Sequence, residues 1–165
     1  MRLLAIDPGS IRSGWVIFDT GADRVREHGK TDNAELLTMT GATSTPGWYD
    51  QLVVEFMEAS YGSNIGKEVT ETIWWSGRFC EAAARSHRPF DRIGRNHVRK
   101  HFTGRMNGKA VDAGVRGALI DRYGGIGGKA VAVGLKASPG PLYGIVVDQW
   151  AALALAIAWH ERPQP

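Results

Sequence analysis

Short apolar runs punctuated by glycine- and serine-bearing breaks organise this chain, and several of the runs end on a carboxylate. Leu3 to Ile6 is apolar throughout and is followed by Asp7 and the turn residues Pro8, Gly9 and Ser10. A run this short with such boundaries predicts a buried strand. Trp15 to Phe18 repeats the pattern across the turn, and Val25 to Gly29 gives a third strand, so the chain opens as an antiparallel meander. Asn33 to Met39 reads as a short helix, GATSTPGWYD as a polar loop, and Leu52 to Val54 as a fourth strand closed by Glu55.

Further along, the period changes. Between Lys67 and Arg85, Val69, Ile73, Trp74 and Cys80 fall mainly on one helical face, and Gly77 reads as a point of close approach to the sheet. The adjacent Trp74 and Trp75 point in different directions, one towards the core and the other towards a dimer contact. His97 to Phe102 and Val111 to Tyr123 predict two more helices around the loop TGRMNGK. GGIGGK and SPGPLYG read as flexible and turn-forming, and Ile145 to Val147 leads into Asp148 at the mouth of a last helix. The apolar stretch of that helix, Trp150 to Trp159, is about ten residues against the ~20 that span a bilayer, so it predicts a core helix and no membrane partner. Strands first, then helices alternating with strands, predict an α/β fold, a sheet covered by helices in a single domain over residues 1–165.

Composition changes this picture in two ways. The 21 glycines among 165 residues exceed the roughly 7% norm and go with many tight turns. The single cysteine, Cys80, permits no intrachain disulfide and reads as a buried small hydrophobe. The opening MRLLAID is too short an apolar run for a secretory signal, so a cytoplasmic protein is expected.

The net charge of +3 hides an uneven distribution. Arg85, Arg88, Arg92, Arg95, Arg99, Lys100, Arg105 and Lys109 face a single acid, Asp91, whereas the rest of the chain carries 12 basic and 16 acidic residues. Such a strip in a gapped helix-loop-helix is better explained by phosphate contact than by solvation alone, with Arg99, Lys100 and Arg105 the preferred contacts. His87, His97 and His101 lie in the same strip without a metal-ligand pattern, which suits phosphate contact or plain surface.

Asp7, Glu55 and Asp148 stand at the ends of three separate core elements. One such acid is ordinarily a loop cap; three that meet at one sheet edge would repel each other unless a cation binds between them. Hard oxygen donors without a histidine or thiol cluster suit Mg²⁺, with Mn²⁺ as a substitute. A divalent site beside a cationic strip points to a phosphodiester substrate, cleaved with two ions ~3.5–4 Å apart.

The segments IDPGSIRSGWVIFD, VVEFMEASYGSNIG, HVRKHFTGRMNGKAVDAGVRGAL and DQWAALALAIAW, in this order and spacing, resemble the RuvC family of Holliday junction resolvases. The PGPLYG turn resembles the phage-borne branch. The resemblance implies a ribonuclease H-like mixed sheet, a homodimer, and Mg²⁺-dependent nicking of branched DNA, especially four-way junctions, in a bacterial cell or phage-infected host. It makes Asp7, Glu55 and Asp148 catalytic metal ligands and Lys109 the lysine near the scissile phosphate. Ala151 stands where the family carries a second aspartate, which leaves Glu58 or Asp112 to complete the set. Glu58 in turn stands where an aromatic stacks on opened base pairs, with Phe56 and Tyr61 nearby as DNA-binding aromatics.

Two rival classes stay open. An actin-like ATPase shares the IDPG opening but needs two such domains around a nucleotide. A non-catalytic DNA-binding protein would follow if the missing fourth carboxylate marks a dead site.

Overall fold

A computed structural model describes residues 1–42, 47–58, 65–108 and 110–163. At its centre lies β1 (Arg2–Asp7), whose Leu3, Leu4, Ala5 and Ile6 are fully buried on both faces. That is why the sequence there is an unbroken apolar run and not an alternation. β2 (Arg12–Asp19) and β3 (Arg24–Asp32) extend the sheet by antiparallel pairing, while β4 (Gln51–Phe56) and β5 (Phe90–Gly94) extend it on the other side by parallel pairing. The order β3-β2-β1-β4-β5 makes a mixed sheet, as the α/β reading and the predicted meander require.

Helices cover both faces. Leu3, Ala5, Val16, Phe18, Val53 and Ile93 pack against α6 (Asp148–Glu161). From Ala152 to Trp159 that helix is buried all round, because α3 (Arg95–Thr103) and α4 (Val111–Gly124) close over it. On the opposite face Leu4, Ile6, Trp15, Ile17, Leu52 and Val54 meet α1 (Asn33–Gly41) and α2 (Lys67–Arg85) through Leu36, Phe79, Cys80 and Ala83. A short helix α5 (Lys129–Ala132) and a small hairpin of β6 (Gly134–Leu135) and β7 (Ser138–Pro139) fill the glycine-rich segment before α6. Among the described residues no helix is long and apolar enough to cross a membrane.

Four expectations are corrected. β3 runs on to Asp32, beyond the expected end at Gly29, because its pairing with β2 is carried by backbone bonds and not by an apolar run. The cationic strip is not one helix-loop-helix: β5 interrupts it, an edge strand in which Ile93 alone is fully buried. Gly77 faces open space, and the buried face of α2 is instead Ser76, Phe79, Cys80 and Ala83. The two tryptophan rings do not part as expected: they meet edge-on with centroids 4.9 Å apart. Trp75 packs on Phe79 with ring centroids 6.0 Å apart, while Trp74 is 54% exposed.

Candidate active site

Strand register assembles the site. Asp7 pairs with Gly14, and Gly14 pairs with Lys30, so β1, β2 and β3 place these residues in one row across the sheet. On the other flank Ile6 pairs with Val54, which brings Glu55 one step further along β4, beside Asp7. Strand alternation turns Asp7, Glu55 and Lys30 to the face that α6 covers. Between Asp7 and Lys30, Gly14 leaves a gap. A Cβ there would stand 2.7 Å from the Cβ and carbonyl carbon of Asp148, so the missing side chain is what lets the start of α6 settle over the sheet.

The PGS turn after Asp7 is pinned from within. Ser13 Oγ donates to Asn33 Oδ1 (2.6 Å) and accepts from the Gly9 N–H (3.2 Å), while Asn33 Nδ2 donates to the Gly9 carbonyl (2.9 Å). Ser13 and Asn33 are buried, so these bonds satisfy polar groups that would otherwise be costly. At the entry to α6, Gln149 Oε1 accepts the Val146 N–H at 3.0 Å and lies 3.0 Å from His28 Nδ1. Val147, just before Asp148, is held at φ 39°, a left-handed conformation that is costly for a β-branched residue. The α6 end of the site is therefore fixed by two contacts and carries local backbone strain.

Asp7, Glu55, Asp112 and Asp148 all line one cleft of about 340 Å³, together with Arg95, Arg99, Arg116, Trp150 and Ala151. Burial pushes the Asp7 carboxyl up to about 8, helped by Glu55 and Asp148 and opposed by Arg95 and Lys30. Glu55, only 7% exposed, is also raised by burial, with Arg95 and Arg99 pulling it back. Cations of the chain itself stand against most of the acids. Arg95 Nε lies 2.9 Å from Glu55 Oε1, and Lys30 pairs with Asp148. Arg99 binds Asp112 through two 2.8 Å bonds, which hold that carboxyl below its usual range. Among the described residues no three Asp, Glu, His or Cys side chains converge closely enough to enclose a metal ion.

The residues expected from sequence are distributed as follows. Asp7, Glu55 and Asp148 line one cleft without converging on a single point, and of the two candidates for the fourth carboxylate it is Asp112 that shares it. Glu58 instead accepts the Asn96 N–H at 3.3 Å in the first turn of α3, in space that a side chain at Gly94 would fill. Its charge offsets the unfavourable placing of Arg95 at a helix N-terminus. Arg99 is committed to Asp112, whereas Lys100 and Arg105 are exposed. Phe56 is 41% exposed, with the Arg92 guanidinium 5.3 Å from its ring centre. His87 and His97 lie at the surface, and His101 pairs with Glu161 at 2.9 Å. Lys109 and Tyr61 lie outside the described residues.

Sequence reasoning passed over Lys30, Arg95 and Arg116 as site residues. Arg95 was visible only as one charge among eight, and Arg116, whose guanidinium lies 4.8 Å over the Trp150 ring, sits on a helix with no charge pattern to mark it. Lys30 emerges only from the register.

The carboxylates offer hard oxygen donors of the kind Mg²⁺ and Mn²⁺ take. The half-buried Asp7 and the buried Glu55 beside it are the like-charged pair that such an ion would relieve.

No protein-family model and no curated protein sequence matches the chain. Among solved structures it is similar to RuvC of Thermus thermophilus, at 19% identity over 96% of this chain and 92% of that one, with a TM-score of 0.61. It is equally similar to T. thermophilus RuvC in complex with Holliday junction substrate, at 18% identity over the same shares and a TM-score of 0.61. The chain therefore has a RuvC-like, ribonuclease H-like α/β fold, with its cluster of acids at one end of the mixed sheet.

Proposed function

We propose that the chain is a divalent-metal-dependent endonuclease that nicks branched DNA, four-way junctions above all, as a homodimer. The observation that carries this reading is the meeting of Asp7, Glu55 and Asp148 in one cleft rimmed by Arg95, Arg99 and Arg116. It gains support from the similarity of the fold to a RuvC protein in complex with Holliday junction substrate. The PGPLYG turn inclines the reading to the phage-borne branch, acting in the cytoplasm of a bacterial or phage-infected cell.

Asp7 and Glu55, with Asp148 beside them, are the residues that would hold Mg²⁺ or Mn²⁺. When bound, the metal supplies activation of an attacking water and neutralises charge on the leaving oxygen. The chain's own part is placement. Arg95 and Arg116 border the acids and neutralise phosphate charge, while Lys100 and Arg105 extend the basic surface outward. Phe56, which is exposed at the end of β4 next to Glu55, keeps with Tyr61 the role that the resemblance gives it at the opened bases, and Lys109 keeps its role near the scissile phosphate.

End-labelled four-way, three-way, flap and duplex DNA, incubated with protein in Mg²⁺, Mn²⁺ or EDTA, tests the reading on one gel. Nicks in branched substrates only, absent in EDTA and with Asp7→Asn, are expected. Near-normal cleavage by Asp7→Asn would sink the site assignment. One observation favours a second reading, a non-cleaving junction binder: Glu55, Asp112 and Asp148 already hold cations of the same chain. Tight binding to four-way DNA without a cut in either metal would select it.

A further inference from the structure

Lys30 belongs to the same row as Asp7, one strand beyond Gly14, and its ammonium pairs with Asp148 in the gap that Gly14 leaves. The two residues do not meet by chance of side-chain flexibility. Two positions back on the same face of β3, His28 contacts Gln149, the next residue of α6. One strand thus grips the start of α6 at two successive side chains, and the pair is set by backbone placement. Lys30, Asp7 and Asp148 also share a groove with Arg12, Arg95 and the PGS turn.

Charge decides what this does. Two divalent ions carry +4 and call for a comparable count of uncommitted carboxylates, yet the family's second aspartate on α6 is here Ala151, and Asp148 is engaged by Lys30. The remaining adjacent pair is Asp7 and Glu55. Arg95, the partner of Glu55, is 46% exposed and stands at the N-terminus of α3, where a cation gains nothing from the helix dipole. It is free to turn to a phosphate, whereas Lys30, 40% exposed on the edge strand β3, is kept beside Asp148 by the neighbouring contact of His28 with Gln149.

We propose that Lys30 is a resident cation of the site that neutralises Asp148 and takes the place of one divalent ion, so that each chain loads a single ion, through Asp7 and Glu55. The inference rests on the nuclease reading above but is tested without DNA. In this role Lys30 is a positioning residue, acting through Asp148.

The measurement is Mn²⁺ binding to the full chain by equilibrium dialysis. The wild type saturates at one equivalent per chain, and Asp7→Asn abolishes that equivalent. Lys30→Met admits a second equivalent or binds the first at least tenfold more tightly, Lys30→Gln does the same, and Lys30→Arg restores wild-type behaviour. Because the Lys30–Asp148 pair is partly exposed, it adds little to stability, and these variants are expected to fold. None or two equivalents in the wild type, or Lys30→Met and Lys30→Gln indistinguishable from it, overturns the proposal. The two readings fail separately. One Mn²⁺ per chain with no DNA cut defeats the nuclease and leaves Lys30 its role; junction cleavage with two Mn²⁺ per chain does the reverse.

Discussion

Asp7 is a carboxylate that the fold is better off without. Burial and the neighbouring Glu55 raise its pKa to about 8, far above the 3.8 of an unfolded chain. The folded state therefore favours the protonated form, so this residue's contribution is whole below about pH 4, declines as pH rises, and is fully lost above about 8. Asp7→Asn removes the dependence. In EDTA at pH 9 the variant is expected to exceed the wild type by on the order of 2 kcal/mol, or roughly 4–8 °C in Tm. The gap narrows towards pH 4, and Mg²⁺ should raise the wild-type Tm alone. A wild type as stable as Asp7→Asn at pH 9 would show that Asp7 is not held against its charge. That Asp7, Glu55 and Asp148 stand at element ends was legible because each follows an apolar run, a property of the local sequence. Lys30 was not. Its place opposite Gly14 depends on pairing with β2 past an irregularity at Ile17 and Phe18, and nothing in RVREHGKTD marks which side chain faces α6. That Asp112 and not Glu58 lines the cleft likewise waited on the packing of α3 and α4.

Elements meet at this site through a missing side chain. Gly14 sits within a strand, where alanine ordinarily gains up to ~1 kcal/mol over glycine. Here the added Cβ would press on the backbone and Cβ of Asp148, and α6, buried along its length, has no room to retreat. Gly14→Ala is expected to cost about 1–3 kcal/mol by overpacking and to abolish cleavage by displacing Asp148. Gly77→Ala, on the open side of α2 with no atom in reach of the new Cβ, is expected to gain roughly 0.5–1 kcal/mol and leave cleavage alone. Chemical denaturation of both variants decides the matter, and a Gly14→Ala protein as stable and active as the wild type would remove the close approach from the account. Most elements were legible from pattern: α6 as an apolar helix too short for a membrane, β1 and β4 as apolar runs. β5 was not, because Phe90 to Gly94 buries Ile93 alone and its charges read as part of the surrounding basic strip. Parallel pairing at the sheet edge, a long-range contact, is what makes it a strand.

At the scale of the whole molecule, the cleft and the outer side of α2 offer different surfaces. Arg95, Arg99 and Arg116 border the cleft on the α6 face. Arg99 is committed to Asp112, whereas beyond Arg95 and Arg116 the basic surface is extended by the exposed Lys100 and Arg105. Replacing either by alanine is expected to weaken binding to all branched DNAs alike and to flatten the slope of log K against log salt by about one. Slopes unchanged in both variants would place the DNA elsewhere. On the opposite face α2 packs through Phe79, Cys80 and Ala83 and leaves Ile73 and Trp74 exposed by 44% and 54%, with Arg78 4.7 Å over the Trp74 ring. A solvent-facing tryptophan beside an isoleucine suits a self-complementary contact between two copies. Trp74→Glu is expected to convert a dimer to a monomer in sedimentation velocity. Since the sheet separates α2 from the cleft, the acids keep their arrangement, and the monomer should still nick branched DNA once per encounter. What it should lose is the pairing of nicks: a dimer sets two sites on opposite strands of a four-way junction and yields products that ligase seals, whereas independent monomers leave singly nicked, unligatable intermediates. A Trp74→Glu protein that remains dimeric, or a monomer that still makes paired nicks, would take the dimer contact away from α2.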